Sequence, residues 1–339
     1  MMRKFHVFPL LLMSFVLGQS NVATTASSFL EIGAGARSLS MGSAFVAVAN
    51  DPSALYWNPA GIVEMSRPST HVYHSPWLVE TDYFHGGAVI PMGVMGSLGA
   101  SYTMVSMDEM DVRTVTEPDG TGEKFSVSNV ALGLAYSKRL TDRFSFGFQS
   151  KFVQEKIWQM SAKGFSVDIG SIFTTTNGVR IGMSISNFGG KMKMEGINTL
   201  VDFDVDENIY GNNDKIDAHL STGEWPLPLT FRFGLNKDIT IAPGQKLTVA
   251  VDGIHPNNNV EYVNAGIEYS FNDILFARAG QSHLFMDATN DGVKAEQGPS
   301  FGAGINYQIP RGPKIRVDYV HTDFGVFNSI SGVSINFSF

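Results

Sequence analysis

From about residue 69 to its last residue the chain alternates apolar with small or polar residues, segment after segment, and this period of two limits its folding choices. In Phe301-Gly302-Ala303-Gly304-Ile305-Asn306-Tyr307-Gln308-Ile309 the odd positions are apolar and the even ones are glycine or polar. Leu229, Phe231, Phe233 and Leu235 stand in the same way against Thr230, Arg232, Gly234 and Asn236. Side chains on a strand point to opposite faces in turn, so each segment has one greasy and one wet face. About fourteen such segments of roughly 9–12 residues follow one another, the length and even number of strands that a bilayer-crossing barrel uses. They start near residues 69, 82, 96, 127, 144, 164, 179, 227, 245, 261, 274, 299, 314 and 330. No apolar run reaches the ~20 residues of a spanning helix. In a membrane the remaining solution is a closed barrel, because lipid offers no partner for open backbone groups. The fold class is therefore all-β, a transmembrane antiparallel β-barrel of about 14 strands.

The connections sort into two kinds. Short turns follow the even segments, as at Pro91-Met92-Gly93, Thr141-Asp142-Arg143, Thr176-Asn177-Gly178 and Asn272-Asp273, with the eighth, around Pro243-Gly244, slightly longer. Several odd segments lead into long stretches, about 105–126, 188–226 and 284–298. Short periplasmic turns and long outer loops are the barrel pattern. Tyr136, Phe144, Tyr269, Tyr307 and Phe337 fall at the short-turn ends, and Trp77, Trp158, Trp225 and Tyr319 at the long-loop ends, as two interfacial girdles would place them. The chain closes on Val333-Ser334-Ile335-Asn336-Phe337-Ser338-Phe339, an alternating strand whose Phe337 and Phe339 resemble the signal read by the barrel assembly machinery.

Composition removes other classes. The net charge is −8, from 32 acidic and 24 basic residues, which argues against nucleic acid as a partner. With no cysteine there is no disulfide, zinc–thiolate site or lipid-anchored N-terminal cysteine. Arg3 and Lys4, the apolar Val7–Leu17 and the small Gly18, Gln19 and Ser20 make residues 1–20 a cleaved signal peptide. The expected location is the outer membrane of a Gram-negative-type envelope, in contact with its lipid.

Residues 21–66 precede the barrel (67–339) and do not alternate. Small residues dominate them, and Asp51-Pro52 and Asn58-Pro59 read as two short-helix starts. Such a segment fits inside a wide barrel as an N-terminal plug, or hatch. The stretch Gly35-Ala36-Arg37-Ser38-Leu39-Ser40-Met41-Gly42, followed by Asn50-Asp51-Pro52-Ser53-Ala54-Leu55-Tyr56-Trp57-Asn58-Pro59-Ala60-Gly61, resembles the PorV/PorQ family of the FadL-like superfamily, whose hatch carries an Asn-Pro-Ala motif. The resemblance implies a fourteen-stranded barrel plugged in its lumen, with Gly35, Arg37, Gly42, Asn50, Asp51, Pro52, Trp57, Asn58, Pro59, Ala60 and Gly61 as hatch residues. It implies one of two roles. PorV-like members serve type IX secretion, holding the C-terminal domains of exported cargo. FadL-like members pass hydrophobic small molecules such as fatty acids or aromatics. The mark of the second role is an apolar lumen pocket bordering the hatch near Asn58, with a gap in the wall.

Chemistry is not visible in the chain. No metalloprotease, nucleophile-elbow or phosphate-loop motif occurs, and no cofactor is expected. Asp202-x-Asp204-x-Asp206 and Asp287-x-Thr289-x-Asp291-Gly292 begin like calcium loops but lack the closing glutamate, so solvated outer loops are the simpler reading and no metal is assigned. Lys151, Asp168, Arg232, Asp252, Glu268, Arg278, Arg316 and Asp318 lie on the polar faces and should point inward and pair. Met104, Met107, Met110, Met160, Met192 and Met194 collect near the outer loops, where flexible thioethers suit varied apolar partners or fill gaps beneath the loops. The expectation is a non-enzymatic barrel that contacts secretion components or cargo through its outer loops, with a passive transporter as the alternative.

Overall fold

The computed structural model describes residues 24–205, 216–286 and 297–339. The expected signal peptide lies outside them. Among the described residues fourteen long strands form the wall: β1 (Ser69–Pro76), β2 (Thr81–Pro91), β3 (Ser97–Met107), β4 (Val127–Thr141), β5 (Phe144–Ile157), β6 (Met160–Thr174) and β7 (Val179–Gly189). β8 (Thr230–Ala242), β9 (Gln245–Pro256), β10 (Tyr262–Phe271), β11 (Leu275–Leu284), β12 (Pro299–Gln308), β13 (Lys314–Asp323) and β14 (Ser329–Ser338) complete it. Each strand pairs antiparallel with its neighbours in sequence, and the sheet closes where β1 meets β14, Ser69 opposite Ser338 through His74 opposite Val333. Closure leaves no wall edge unpaired, which is what lipid demands.

The alternation maps onto two faces. On β8 Phe231, Phe233 and Leu235 are outside, while Thr230, Arg232 and Asn236 are buried inside. Leu132, Leu134, Phe148, Ile267, Phe301 and Ile305 continue the outer band. The strands begin close to the expected positions, with two instructive departures. β4, β5 and β6 run to 14 or 15 residues because β5 and β6 continue above the band and turn at Trp158, whose φ is 51°. The eighth turn is not longer than the others: only Pro243 and Gly244 separate β8 from β9. The long outer stretches carry small hairpins, Met110–Asp111 with Lys124–Phe125, Met192–Lys193 with Glu224–Trp225, and Leu200–Phe203 with Ile216–His219.

Residues from 24 onward enter at the outer half of the lumen, where Ala26 N donates to Pro226 O (2.9 Å) and Asn258 Nδ2 to Thr25 Oγ1 (3.0 Å). The chain then descends through α1 (Ala36–Ser40), α2 (Ala54–Trp57) and a 3-10 turn at Pro59–Glu64, and leaves at the short-turn end to begin β1. The start expected at Asn58-Pro59 is where the 3-10 turn begins, with Asn58 Oδ1 accepting from Ala60 N at 3.1 Å. The helix after Asp51-Pro52 begins later, at Ala54, because Asp51 Oδ1 binds the N–H and hydroxyl of Ser53 instead. α1 was not expected, since Ser and Gly flanks carry little helix propensity; the wall contacts below hold it.

Candidate functional site: the seated hatch and the vestibule above it

The hatch sits in a belt of glycines. A Cβ at Gly280 would stand 2.1 Å from Met41 C, and one at Gly266 2.1 Å from Met41 O. A Cβ at Gly147 would lie 2.6 Å from Ala60 N, one at Gly170 2.0 Å from Asn58 Oδ1, and one at Gly182 2.5 Å from Val46 O. Gly87, Gly99, Gly234 and Gly302 approach hatch side chains within 3 Å in the same sense. Glycine on the inward face therefore lets hatch backbone touch wall backbone. Between them Met41, Phe45, Leu55, Trp57 and Ile62 form an apolar core with Val89, Ala135 and Ala250 of the wall.

Polar anchors fix the orientation. Arg37 of α1 forms a fork with Glu268 of β10 (Nε–Oε2 and Nη2–Oε1, both 2.9 Å), and its Nη1 reaches Asp51 Oδ2 (2.9 Å) and Asn50 Oδ1 (2.6 Å). Glu268 also accepts from Arg278 Nε (2.6 Å) and Arg316 Nη2 (3.3 Å), and Asp318 pairs with Arg278 (2.9 Å) and Arg316 (3.0 Å). Three guanidinium groups and three carboxylates thus share one buried cluster without net charge. Burial is the largest influence on the Asp51 carboxyl and raises it, but the Arg37 guanidinium, the hydrogen bond from Ser53 and the fields of Arg316 and His71 together outweigh it and hold the group below its ordinary value. Asn58 is wholly buried and braces three elements: Nδ2 donates to Val46 O (2.9 Å) and to Ser171 O on β6 (3.1 Å), while Oδ1 holds the 3-10 turn. Trp57 Nε1 donates to Ala34 O (2.8 Å). Gly35 and Gly42 have φ of 95° and 60°, and a Cβ at Gly61 would meet Ala49 O at 2.3 Å. The motif residues singled out in the sequence, Pro52, Pro59 and Ala60 among them, are thus brought together in one seat.

The lumen charges point inward as expected, and most pair. Lys151 bonds Asp168 at 2.8 Å and also Asn187, and Asp168 accepts the Asn187 N–H (2.7 Å) where β7 bulges against β6. Asp252 takes the N–H groups of Phe45 (2.7 Å) and Val46 (2.9 Å). Arg232 departs from the expectation. Its Nη1 donates to Ser186 Oγ (3.0 Å), its guanidinium lies over Tyr56 and Trp57, and among the described residues it has no carboxylate partner. It borders a cavity of about 300 Å³ between the hatch and the outer loops, lined among others by Glu31, Ile32, Trp57, Tyr73, Trp77 and Tyr262.

Other expectations are corrected. The six methionines do not make one surface. Met192 is buried with Phe29, Leu30 and Leu227, and Met194 packs beside it. Met104 receives the Tyr102 hydroxyl, Met107 and Met160 are half-buried, and only Met110 is well exposed. The gap-filling role beneath the loops describes Met192 and Met194. Trp77 faces the cavity, and Trp225 sits in an outer-loop hairpin, so neither belongs to a girdle. Asp202 stands opposite Asp217 in an exposed hairpin, no three acidic or histidine groups converge among the described residues, and Asp206, Asp287, Thr289 and Asp291 lie outside them. Phe337 pairs with Thr70 and Ile315; Phe339 is exposed, with its N–H on Pro68 O (2.9 Å). His71 and His74 face opposite ways, but the inward partner of His71 is His85 on β2, ring centroids 5.8 Å apart. Strand pairing brings the two together.

Comparison with known proteins now bears on this arrangement. A toluene transporter of P. putida, TodX, superposes with a TM-score of 0.56 at 12% identity, covering 91% of this chain and 99% of its own. The monoaromatic hydrocarbon channel CymD gives 0.55 at 12% identity, covering 91% and 98%. A FadL homologue of Pseudomonas aeruginosa gives 0.50 at 12% identity, covering 87% and 96%. These likenesses establish the fold. No curated protein matches the chain. The family model described as "Type IX secretion system protein PorV" matches residues 16–203, more than half of the sequence. The chain is therefore an outer-membrane β-barrel of FadL-like fold, and it belongs to the type IX secretion system protein PorV family.

Proposed function

We propose that this barrel is a non-enzymatic docking protein that engages secretion components or exported cargo at its outer face, in support of protein secretion or surface attachment. The observation that carries the reading is the match to a secretion-system family across the hatch and the first strands. The seated hatch supports it, because an apolar core, a neutral ion cluster and the Asn58 brace hold it in the periplasmic half of the lumen. The three small hairpins of the outer stretches supply a shaped surface on the other side. The test is a variant lacking residues 190–224 beside a gene deletion, read by surface proteomics. Loss of a set of surface proteins in both is expected; an unchanged surface in the deletion strain ends the reading.

Passive transport of hydrophobic solutes is the second reading, favoured by the aromatic-lined cavity and the channels of like fold. The cavity borders the hatch at Tyr56 and Trp57, but the gap in the wall expected of this reading has no counterpart among the described residues. Asn58 is fully buried against β6, and each strand boundary carries backbone pairing, interrupted only by bulges such as those at Asn187 and His283. Uptake of fatty acids or toluene that falls in Asn58→Ala and Pro59→Ala strains would restore it.

A further inference from the structure

Two lysines stand on the outward face of the wall where its apolar band ends. Lys156 of β5 and Lys163 of β6 are exposed, and by strand alternation they share the side of Phe148, Phe152 and Phe165. Phe144 and Phe173 pair at the short-turn end, and the lysines lie twelve and ten residues further up their strands. A strand tilted by roughly 40° climbs about 2.5 Å per residue, which places the two backbone positions about 30 and 25 Å above that end, at the outer edge of an apolar band about 25 Å tall. That is the level of lipid headgroups.

Register makes the lysines a pair. Ser161 stands opposite Lys156, and Gln154 opposite Lys163. The lysines are therefore diagonal neighbours, about 7–8 Å apart at the backbone, and both side chains can reach one small group between them. Ser128 flanks Lys156 from β4. All of these side chains donate hydrogen bonds, and none is an acid. Elsewhere toward the outer end basic side chains sit beside acids: His74 with Asp82 (3.0 Å), His255 with Glu261 (2.9 Å) and Lys193 with Glu195 (3.4 Å). Among the described residues Lys156 and Lys163 form no such pair. Like charges on one diagonal repel each other unless an anion lies between them. Beneath them the rings of Phe152 and Phe165 lie 5.3 Å apart on the lipid side.

We propose that this face binds the phosphate group of an outer-leaflet lipid, held by Lys156 and Lys163, with its acyl chain against Phe152 and Phe165. Phosphate oxygens accept from the whole donor row, and the acyl contact continues the lipid-facing band. The inference rests on the place of the barrel in the outer membrane and is independent of the docking reading.

The test is native mass spectrometry of the full mature barrel in detergent, titrated with diphosphorylated lipid A and with the same lipid after its phosphates are removed. A lysine beside an anionic headgroup contributes about fivefold in affinity, so the phosphorylated form should bind about 25-fold more tightly. Lys156→Gln and Lys163→Gln should each lose about fivefold, and the double variant should bind both forms alike. Lys138→Gln removes an exposed lysine at the short-turn end of β4 and should change nothing. Equal binding of the two forms by the unmodified barrel overturns the proposal, and that comparison needs no variant to fold. An equal loss in Lys138→Gln overturns it too, since charge alone would then explain the binding. A double variant that keeps its lipid preference but loses surface proteins overturns it in favour of an acidic protein partner at this face.

Discussion

Removing the hatch's own cation tests whether the ion cluster holds the plug. Arg37→Met leaves Glu268, Asp318 and Asp51 facing Arg278 and Arg316, one buried negative charge in excess. Breaking a buried pair from one side costs about 3–5 kcal/mol, because the partner stays buried and uncompensated. Three kcal/mol shifts the seated-to-released ratio by roughly two orders of magnitude. Glu268→Gln leaves one positive charge in excess and should cost a similar amount. The double variant restores neutrality, so its cost should fall short of the sum of the single ones by about 1–3 kcal/mol. Hatch release is read as protease cleavage between residues 24 and 66 in graded urea, with the barrel shown intact by heat-modifiable migration, and as conductance in planar bilayers. Strictly additive single effects would refute the cluster as the lock. So would an Arg37→Met hatch as resistant as the parent, leaving the glycine-lined packing to hold it alone.

Four further outcomes follow from the same geometry. Gly280→Val should leave the barrel assembled but the hatch unseated, since its Cβ would collide with Met41 and Gly42 backbone, whereas Gly253→Ala, with nothing nearer than 3.9 Å, should behave as the parent in the same protease assay. Asn58→Ala should weaken the hatch by about 2–3 kcal/mol, and Asn58→Asp by more, because an anion would then face the Val46 and Ser171 carbonyls. Because the Asp51 carboxyl is held below its ordinary value, its contribution is complete above about pH 4 and is lost as the pH falls through the depressed folded value; hatch protection should hold at pH 5 and weaken below pH 4, and Asp51→Asn should remove its share of that acid response. Deleting Phe339, exposed and held by one backbone bond, should leave urea resistance of the finished barrel unchanged while slowing its assembly in cells, measured by pulse-chase.

How much of this was legible beforehand depended on the range of the physics. Strand positions could be read because alternation is local: a side chain's face is fixed by its neighbours in sequence, and lipid on one side enforces it. The even number, the short turns at Asp142-Arg143 and Asn272-Asp273 and the inward charges at Glu268 and Arg278 followed from that rule. The hatch motif was recognisable as a string, but its chemistry was not, since Arg37 meets Glu268 across 231 positions and Asn58 meets Ser171 across 113. The methionines show the converse, adjacent in a loop reading yet divided between core, wall and surface by the packing of Phe29 and Leu30 beneath them.

The sequence by itself determined that the chain would be a membrane-spanning barrel, because a period of two over lipid-length segments admits no other structure with all its backbone groups paired. Only the tertiary structure decided what fills the barrel: which inward glycines become a seat, which charges cancel, and that Arg232 faces a cavity with Ser186 and two aromatic rings as its contacts. Those outcomes depend on closure of the sheet, which brings strands distant in sequence around one hatch, and no local pattern encodes that distance.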